Sequence, residues 1–218
     1  MIHSNERKLC LSGWLKHNYQ KEYDTPLKLQ KFLLFYEAFS KVSGEKTDFS
    51  HLRGYERGPV FSDVWGDYTK EREAFNRAVE ASFSAAGQDI DENRARKSAF
   101  VVRILSEQEL SDFTHHLNLW KCKEERIQRG EYQVDLEESD FNEDDYELIH
   151  TLELMYPDDM VKHSVVKDIG EHHFIIPEGE IPRLTEEHII ALHTMCEKEE
   201  LHNPIYVDID EGGRLIVD

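Results

Sequence analysis

Between Asp24 and Val64 the chain reads D-T-P-L-K-L-Q-K-F-L-L-F-Y-E-A-F-S-K-V-S-G and then, past a polar gap, Y-E-R-G-P-V-F-S-D-V. Thr25 is a natural N-cap, and Pro26 suits the first helical position because its missing N–H has no intrahelical partner there anyway. Leu29, Phe32, Leu33, Tyr36 and Phe39 then recur at the spacing of one buried helical face. Gly44 stands just past the last periodic residue, where a left-handed C-cap costs least. In Arg57-Gly58-Pro59-Val60, glycine admits unusual backbone angles, while proline fixes its own φ and pushes Gly58 out of the helical region. The stretch predicts a central buried helix over Leu27–Val42, a loop, and a rigid Gly-Pro corner leading into a second helix.

These residues also carry a likeness. T-P-L-K-L-Q-K-F-L-L-F-Y, followed at this distance by E-R-G-P-V, resembles the opening of the Panacea domain family. That family includes SocA-like and phage-associated GepA-like proteins, and its members read T-x-x-K-L-Q-K-L-x-Y and then Y-G-P-V. The match covers about a quarter of the chain, and Arg57 departs from the family's aromatic or polar residue before the glycine. The resemblance implies a mostly helical domain that acts by binding proteins. Many such domains are antitoxins of toxin–antitoxin systems, and the SocA type is a proteolytic adaptor. It further implies a partner-facing groove built from Lys28, Lys31, Tyr36 and the Arg57-Gly58-Pro59 corner. The reading the residues favour is structural, the two lysines covering the apolar stripe with their stems, because capping and packing already explain most of the motif.

Charge is the most informative bulk property. The 218 residues carry a net charge of −19, and its distribution is uneven. Residues 1–130 hold 21 Lys+Arg against 20 Asp+Glu, about +1, whereas residues 131–218 hold 5 against 25, or −20. Such a field repels nucleic acid and attracts a basic protein partner, with Asp144, Asp145 and Glu147 as candidate contacts. A solvated face that only confers solubility is the competing reading. With 39% hydrophobic residues the chain can bury a core. Its lack of any run of eighteen apolar residues excludes a membrane span. An N-terminus without a long apolar stretch and three cysteines at unrelated spacings point to the cytoplasm.

Along the chain the pattern predicts a short helix over Leu9–Lys21 and an exposed loop at Glu45–Phe49. Next comes one helix from Ser62 to about Ala86, with Val64, Trp65, Tyr68, Phe75, Val79 and Phe83 inward, stopped by Ala86-Gly87-Gln88-Asp89. Helices follow over Glu92–Leu105 and from a capping box at Ser106, the latter burying Leu110, Phe113, Leu117 and Trp120. The pattern weakens between Lys121 and Asn142, which marks an expected boundary. Helix returns over Asp144–Met155 until Pro157 breaks it. V-V-K-D-I-G-E-H-H-F-I-I-P reads as strand, turn, strand, and Thr185 caps a last helix to about Leu201. I-Y-V-D-I and L-I-V around D-E-G-G-R read as a hairpin. The expected fold is mostly α with minor α+β character: a helical core over 1–130, and an acidic part over 131–218 with short strands and a C-terminal β-hairpin, packed on the core as one domain.

No pattern carries catalysis. There is no H-E-x-x-H, no C-x-x-C, no G-x-S-x-G and no phosphate-cradling glycine loop. The adjacent pairs His115-His116 and His172-His173 point in different directions on a helix, and His188 and His193 are five apart. No cofactor and no metal are expected. The leading reading is a non-enzymatic antitoxin that neutralises a cognate basic toxin by direct contact. A SocA-like adaptor delivering a client to a protease is the second reading, and a phage-encoded acidic mimic of nucleic acid the third.

Overall fold

The computed structural model describes every residue except 87–88 and 199–200, and the fold is mostly α with minor β. The chain forms two compact units, Met1–Val102 with Glu107–Met155, and Arg103–Ser106 with Tyr156–Asp218.

The first unit opens with α1 (Glu6–Asn18) and α2 (Gln20–Asp24), which lead into α3 (Pro26–Val42). Pro26 opens α3 and Gly44 ends it at φ +70°. Thr25 stands at the N-cap position but does not cap, because its hydroxyl donates to the Lys21 carbonyl one turn back. Leu29, Phe32, Leu33, Tyr36 and Phe39 are all buried, and so are Leu34, Phe35, Lys31, Glu37 and Ser40 on the other faces. A helix apolar on one side lies against one layer, whereas α3 is enclosed all round. Its buried charges are therefore partnered. Glu37 accepts both a two-pronged bond from Arg7 (2.7 and 3.0 Å) and the Asp48 N–H (2.9 Å).

The corner predicted at Gly58-Pro59 is the end of a β-hairpin. β1 (Leu52–Tyr55) and β2 (Gly58–Phe61) pair antiparallel, with Tyr55 opposite Gly58 and Glu56-Arg57 as the turn. Glu56 and Arg57 keep ordinary negative φ, so the positive angle that brings the chain back falls on Gly58 (φ +97°). Phe49, expected in an exposed loop, is buried against Phe141 with ring centroids 6.2 Å apart.

The single helix expected from Ser62 to Ala86 is two, α4 (Ser62–Lys70) and α5 (Arg72–Ala86), broken at Glu71. Ser62 donates to the His51 carbonyl rather than capping α4. Gly87 and Gln88 of the predicted stop lie outside the described residues. The remaining α-helices of this unit are α6 (Glu92–Ile104, its last two residues counted with the second unit), α7 (Glu107–His116), α8 (Asn118–Lys121), α9 (Glu124–Gln128) and α10 (Glu143–Met155). Where the sequence predicts a boundary, β3 (Val134–Asp135) pairs with β1 and completes a sheet of order β2-β1-β3. The units divide at Met155/Tyr156 and not at 130/131. α10 buries Ile149 and Leu152 and packs on α3, so the acidic stretch that precedes and includes it belongs with the helical core.

In the second unit α11 (Asp158–Lys162) precedes β4 (Ser164–Ile169) and β5 (His172–Pro177), the predicted strand, turn and strand. α12 (Glu186–Lys198) is capped by the Thr185 hydroxyl, which accepts the His188 N–H; its predicted end near Leu201 lies past residues that are not described. β6 (Ile205–Ile209) and β7 (Leu215–Val217) form the predicted hairpin. β6 also pairs parallel with β5, Phe174 opposite Ile205, giving one sheet of order β4-β5-β6-β7. Ile169, Phe174, Ile176, Ile205 and Val207 share the face that packs on Leu192 of α12. Among the described residues no helix is long and apolar enough to cross a membrane.

Candidate functional site

The two linked motifs of the sequence meet in space. Lys31 Nζ donates to the Arg57 carbonyl and to Thr114 Oγ1, both at 2.9 Å. One residue earlier, Gln30 Oε1 accepts the Phe61 N–H at 2.8 Å. Pro59 has no N–H to offer. The outer strand β2 is thus closed off by α3 side chains, a recurrent way of blunting a sheet edge. Gly58 has a second reason to be glycine. A Cβ there would stand 2.4 Å from Lys31 Nζ and 2.5 Å from Thr114 Oγ1.

The turn is held at three successive carbonyls. Lys31 takes that of Arg57, Trp120 Nε1 donates to that of Tyr55 at 2.9 Å, and the His115 ring donates to the Glu56 backbone. His115 stacks on Trp120 with centroids 4.0 Å apart. Its Nε2 is buried without a partner among the described residues. Burial first, then the neighbouring Lys31, holds the His115 pKa below its ordinary value. Lys31 itself is 1% exposed, and its pKa is lowered to about 7 because burial strips water from the ammonium and the Arg57 charge adds repulsion. Thr114 donates its own proton to the carbonyls of Leu110 and Ser111, leaving its oxygen free to accept from Lys31. Two acceptors for two hydrogens suit a neutral amine.

Over this hub lies a cleft of about 520 Å³. Pro26, Leu27, Val60 and Ile127 give it apolar walls, and Tyr55, Trp65 and Tyr132 add aromatic rings. Trp65 is 37% exposed and Tyr132 is 79% exposed, both large rings left in reach of solvent. Tyr55 and Tyr132 stand nearly at right angles (71°), centroids 6.4 Å apart, and Gln133 donates to the Tyr55 hydroxyl at 3.1 Å. Glu56, Glu107 and Glu131 line the same cleft, as do Arg57 and Lys31. Arg57 faces Glu107 at 3.6 Å, and Glu131 is bound by Arg126.

The sequence-predicted contact residues are scattered by the fold. Lys31, Arg57, Gly58 and Pro59 form the hub, with Arg57 exposed and the other three buried. Tyr36 does not join them. It lies five residues and about 140° round α3 from Lys31. There it is buried between the Arg7 and Arg94 guanidinium groups, its hydroxyl accepting the Asp91 N–H. Lys28 is buried. Asp144 and Glu147 are exposed on α10, but Asp145 is 1% exposed and is a structural cap. Its carboxylate accepts the N–H groups of Asn118 (2.5 Å) and Leu119 (2.9 Å) at the start of α8. Tyr55, Ile127 and Tyr132 line the cleft without any periodic pattern to single them out, and Trp65, expected inward with Val64 and Tyr68, reaches solvent instead. The available signal was aromatic residues set among charged ones, Tyr55-Glu56-Arg57 and Glu131-Tyr132, away from any periodic apolar face. No protein-family model matches the chain, and neither a curated protein nor a solved structure matches it.

Proposed function

We propose that this protein is a non-enzymatic binding module that neutralises a cognate toxic protein by direct contact, using the cleft over the β1–β2 hairpin. The class of partner follows from the likeness of Thr25–Tyr36 and Glu56–Val60 to the Panacea motifs. The observation that carries the reading is the exposure of Trp65 and Tyr132 around an apolar cleft whose turn is fixed at three carbonyls. Tryptophan and tyrosine are the residues that most often dominate protein–protein binding energy, and a pre-organised surface loses little entropy on docking. A cleft of this volume takes one or two side chains of a partner segment rather than a whole element.

The test is co-expression with the product of the adjacent gene, reading growth rescue and co-purification. Wild-type protein rescues growth, while Trp65→Ala with Tyr132→Ala weakens binding by 30-fold or more, the effect of about 2 kcal/mol at a dominant contact. Tyr132→Ala leaves the melting temperature near that of the wild type, because its ring is 79% exposed, while Trp65→Ala, whose ring is mostly covered, lowers it by some degrees, so binding is read well below both midpoints. A double variant that rescues and co-purifies like the wild type would place the contact elsewhere.

A further inference from the structure

Two tyrosine pairs in the first unit share one geometry. Tyr23 and Tyr68 meet edge to face at 6.0 Å and 68°, and Asp24 follows Tyr23 in the chain. Tyr55 and Tyr132 meet edge to face at 6.4 Å and 71°, and Glu56 follows Tyr55. The first pair holds a cation from its own chain. The Arg72 guanidinium lies 3.6 Å from the Tyr68 centroid and 5.0 Å from that of Tyr23, and it pairs with Asp24 at 2.6 Å. Among the described residues no lysine or arginine sits over the Tyr55 or Tyr132 ring; Arg53, near enough to act on the Tyr55 hydroxyl, is paired with Asp135, and the pair opens on the cleft.

We infer that the cleft takes an arginine side chain from an extended segment of a basic partner protein, its guanidinium against Tyr55 and Tyr132 and beside Glu56. The inference rests on the cleft being the binding site, and it names what enters. Perpendicular rings offer a cation the negative face of at least one of them, and apolar walls receive the methylene stem. The charges agree. Arg57 is opposed by Glu107 and Glu131 by Arg126, so Glu56 is the lining carboxylate left to meet an incoming cation. Lys31, held near neutrality by its burial, adds little repulsion above pH 7.

The experiment uses the full chain and capped pentapeptides with a central arginine, lysine or norleucine among glycines. Trp120 is bonded to the Tyr55 carbonyl at the cleft, so the fluorescence change assigned to Trp65 is the part that Trp65→Phe removes, with binding by that variant checked by calorimetry. The arginine peptide is expected to bind saturably and more tightly than the norleucine peptide. Glu56→Gln, at an exposed position, is expected to weaken it about two- to fivefold and to leave the norleucine titration unchanged, and Tyr132→Ala to weaken the arginine peptide more than the norleucine one. Equal binding of arginine and norleucine peptides overturns the inference but leaves the cleft as a contact site. Loss of partner binding in Tyr132→Ala with none in Glu56→Gln does the same. Saturation by tetramethylammonium with no binding of the arginine peptide overturns it in favour of a small organic cation.

Discussion

Lys31 concentrates the physical tension of the molecule in one amine. Its folded pKa is lowered to about 7 from an ordinary 10.5. Between those two values the unfolded chain holds a proton that the folded one has released, so this residue makes stability rise with pH. Below pH 7 both states carry the proton, and the folded state bears the full cost of a buried ammonium. From pH 7 to 9 the wild type is expected to gain on the order of 2 kcal/mol against urea relative to Lys31→Met, which has nothing to titrate there. Parallel unfolding curves for the two proteins across that range would show that the amine is hydrated or stays charged. The sequence marked Lys31 as a residue beside the apolar stripe, and a stem lying along that stripe was the cheaper assumption. The burial of Nζ itself was not legible. It depends on two acceptors, the Arg57 carbonyl and Thr114 Oγ1, which lie 26 and 83 residues away.

At the scale of elements, α10 shows how a charge run misleads. Asp144, Asp145 and Glu147 look alike in sequence, yet one of them is a cap buried against α8. Burial also raises the Asp145 pKa in spite of the N–H groups that it accepts. Asp145→Ala is expected to cost about 1–2 kcal/mol, the usual loss for a cap, while Asp144→Asn stays within about 0.5 kcal/mol. Equal melting temperatures for the two variants would show that α8 does not need the cap. Periodicity places α3, α6, α10 and α12, whereas the helix expected from Ser106 through Trp120 breaks at the extended Leu117 into α7 and α8, and Thr25 leaves α3 uncapped. The misses are short. β1 and β3 have four and two residues, too few for alternation to register; β1 is a strand because β2 pairs along it, and β3 because it joins the other side of β1. The break between α4 and α5 at Glu71 carries no glycine or proline to announce it.

For the whole molecule the charge map is redrawn by folding. The step from +1 to −20 at residue 130 disappears when charge is counted by unit. The first unit holds 20 Lys+Arg and 30 Asp+Glu, or −10, and the second holds 6 and 15, or −9. The field that would draw the proposed basic partner is therefore not confined to the C-terminal part. Changing Asp144→Asn and Glu147→Gln, with Asp145 left in place, is expected to slow association and flatten its salt dependence, because added salt screens such steering over about 8–10 Å. Stopped-flow rates at low and high salt read this out directly. An unchanged on-rate and salt slope would make those acids mere solvation.

By itself the sequence determined the helical class, the buried centre at α3, the glycine-marked positions at 44 and 58, and the net acidity. Each is written in local spacing or in composition, which the chain carries wherever it folds. The tertiary structure alone decided which polar residues go inside and what meets over them. It put Lys31 under the Gly58 turn, made Asp145 a cap, turned Trp65 outward and set Tyr55 beside Tyr132. Those outcomes depend on partners tens of residues apart, and a buried charge is tolerable only where such a partner arrives. No local window of sequence contains both members of the pair.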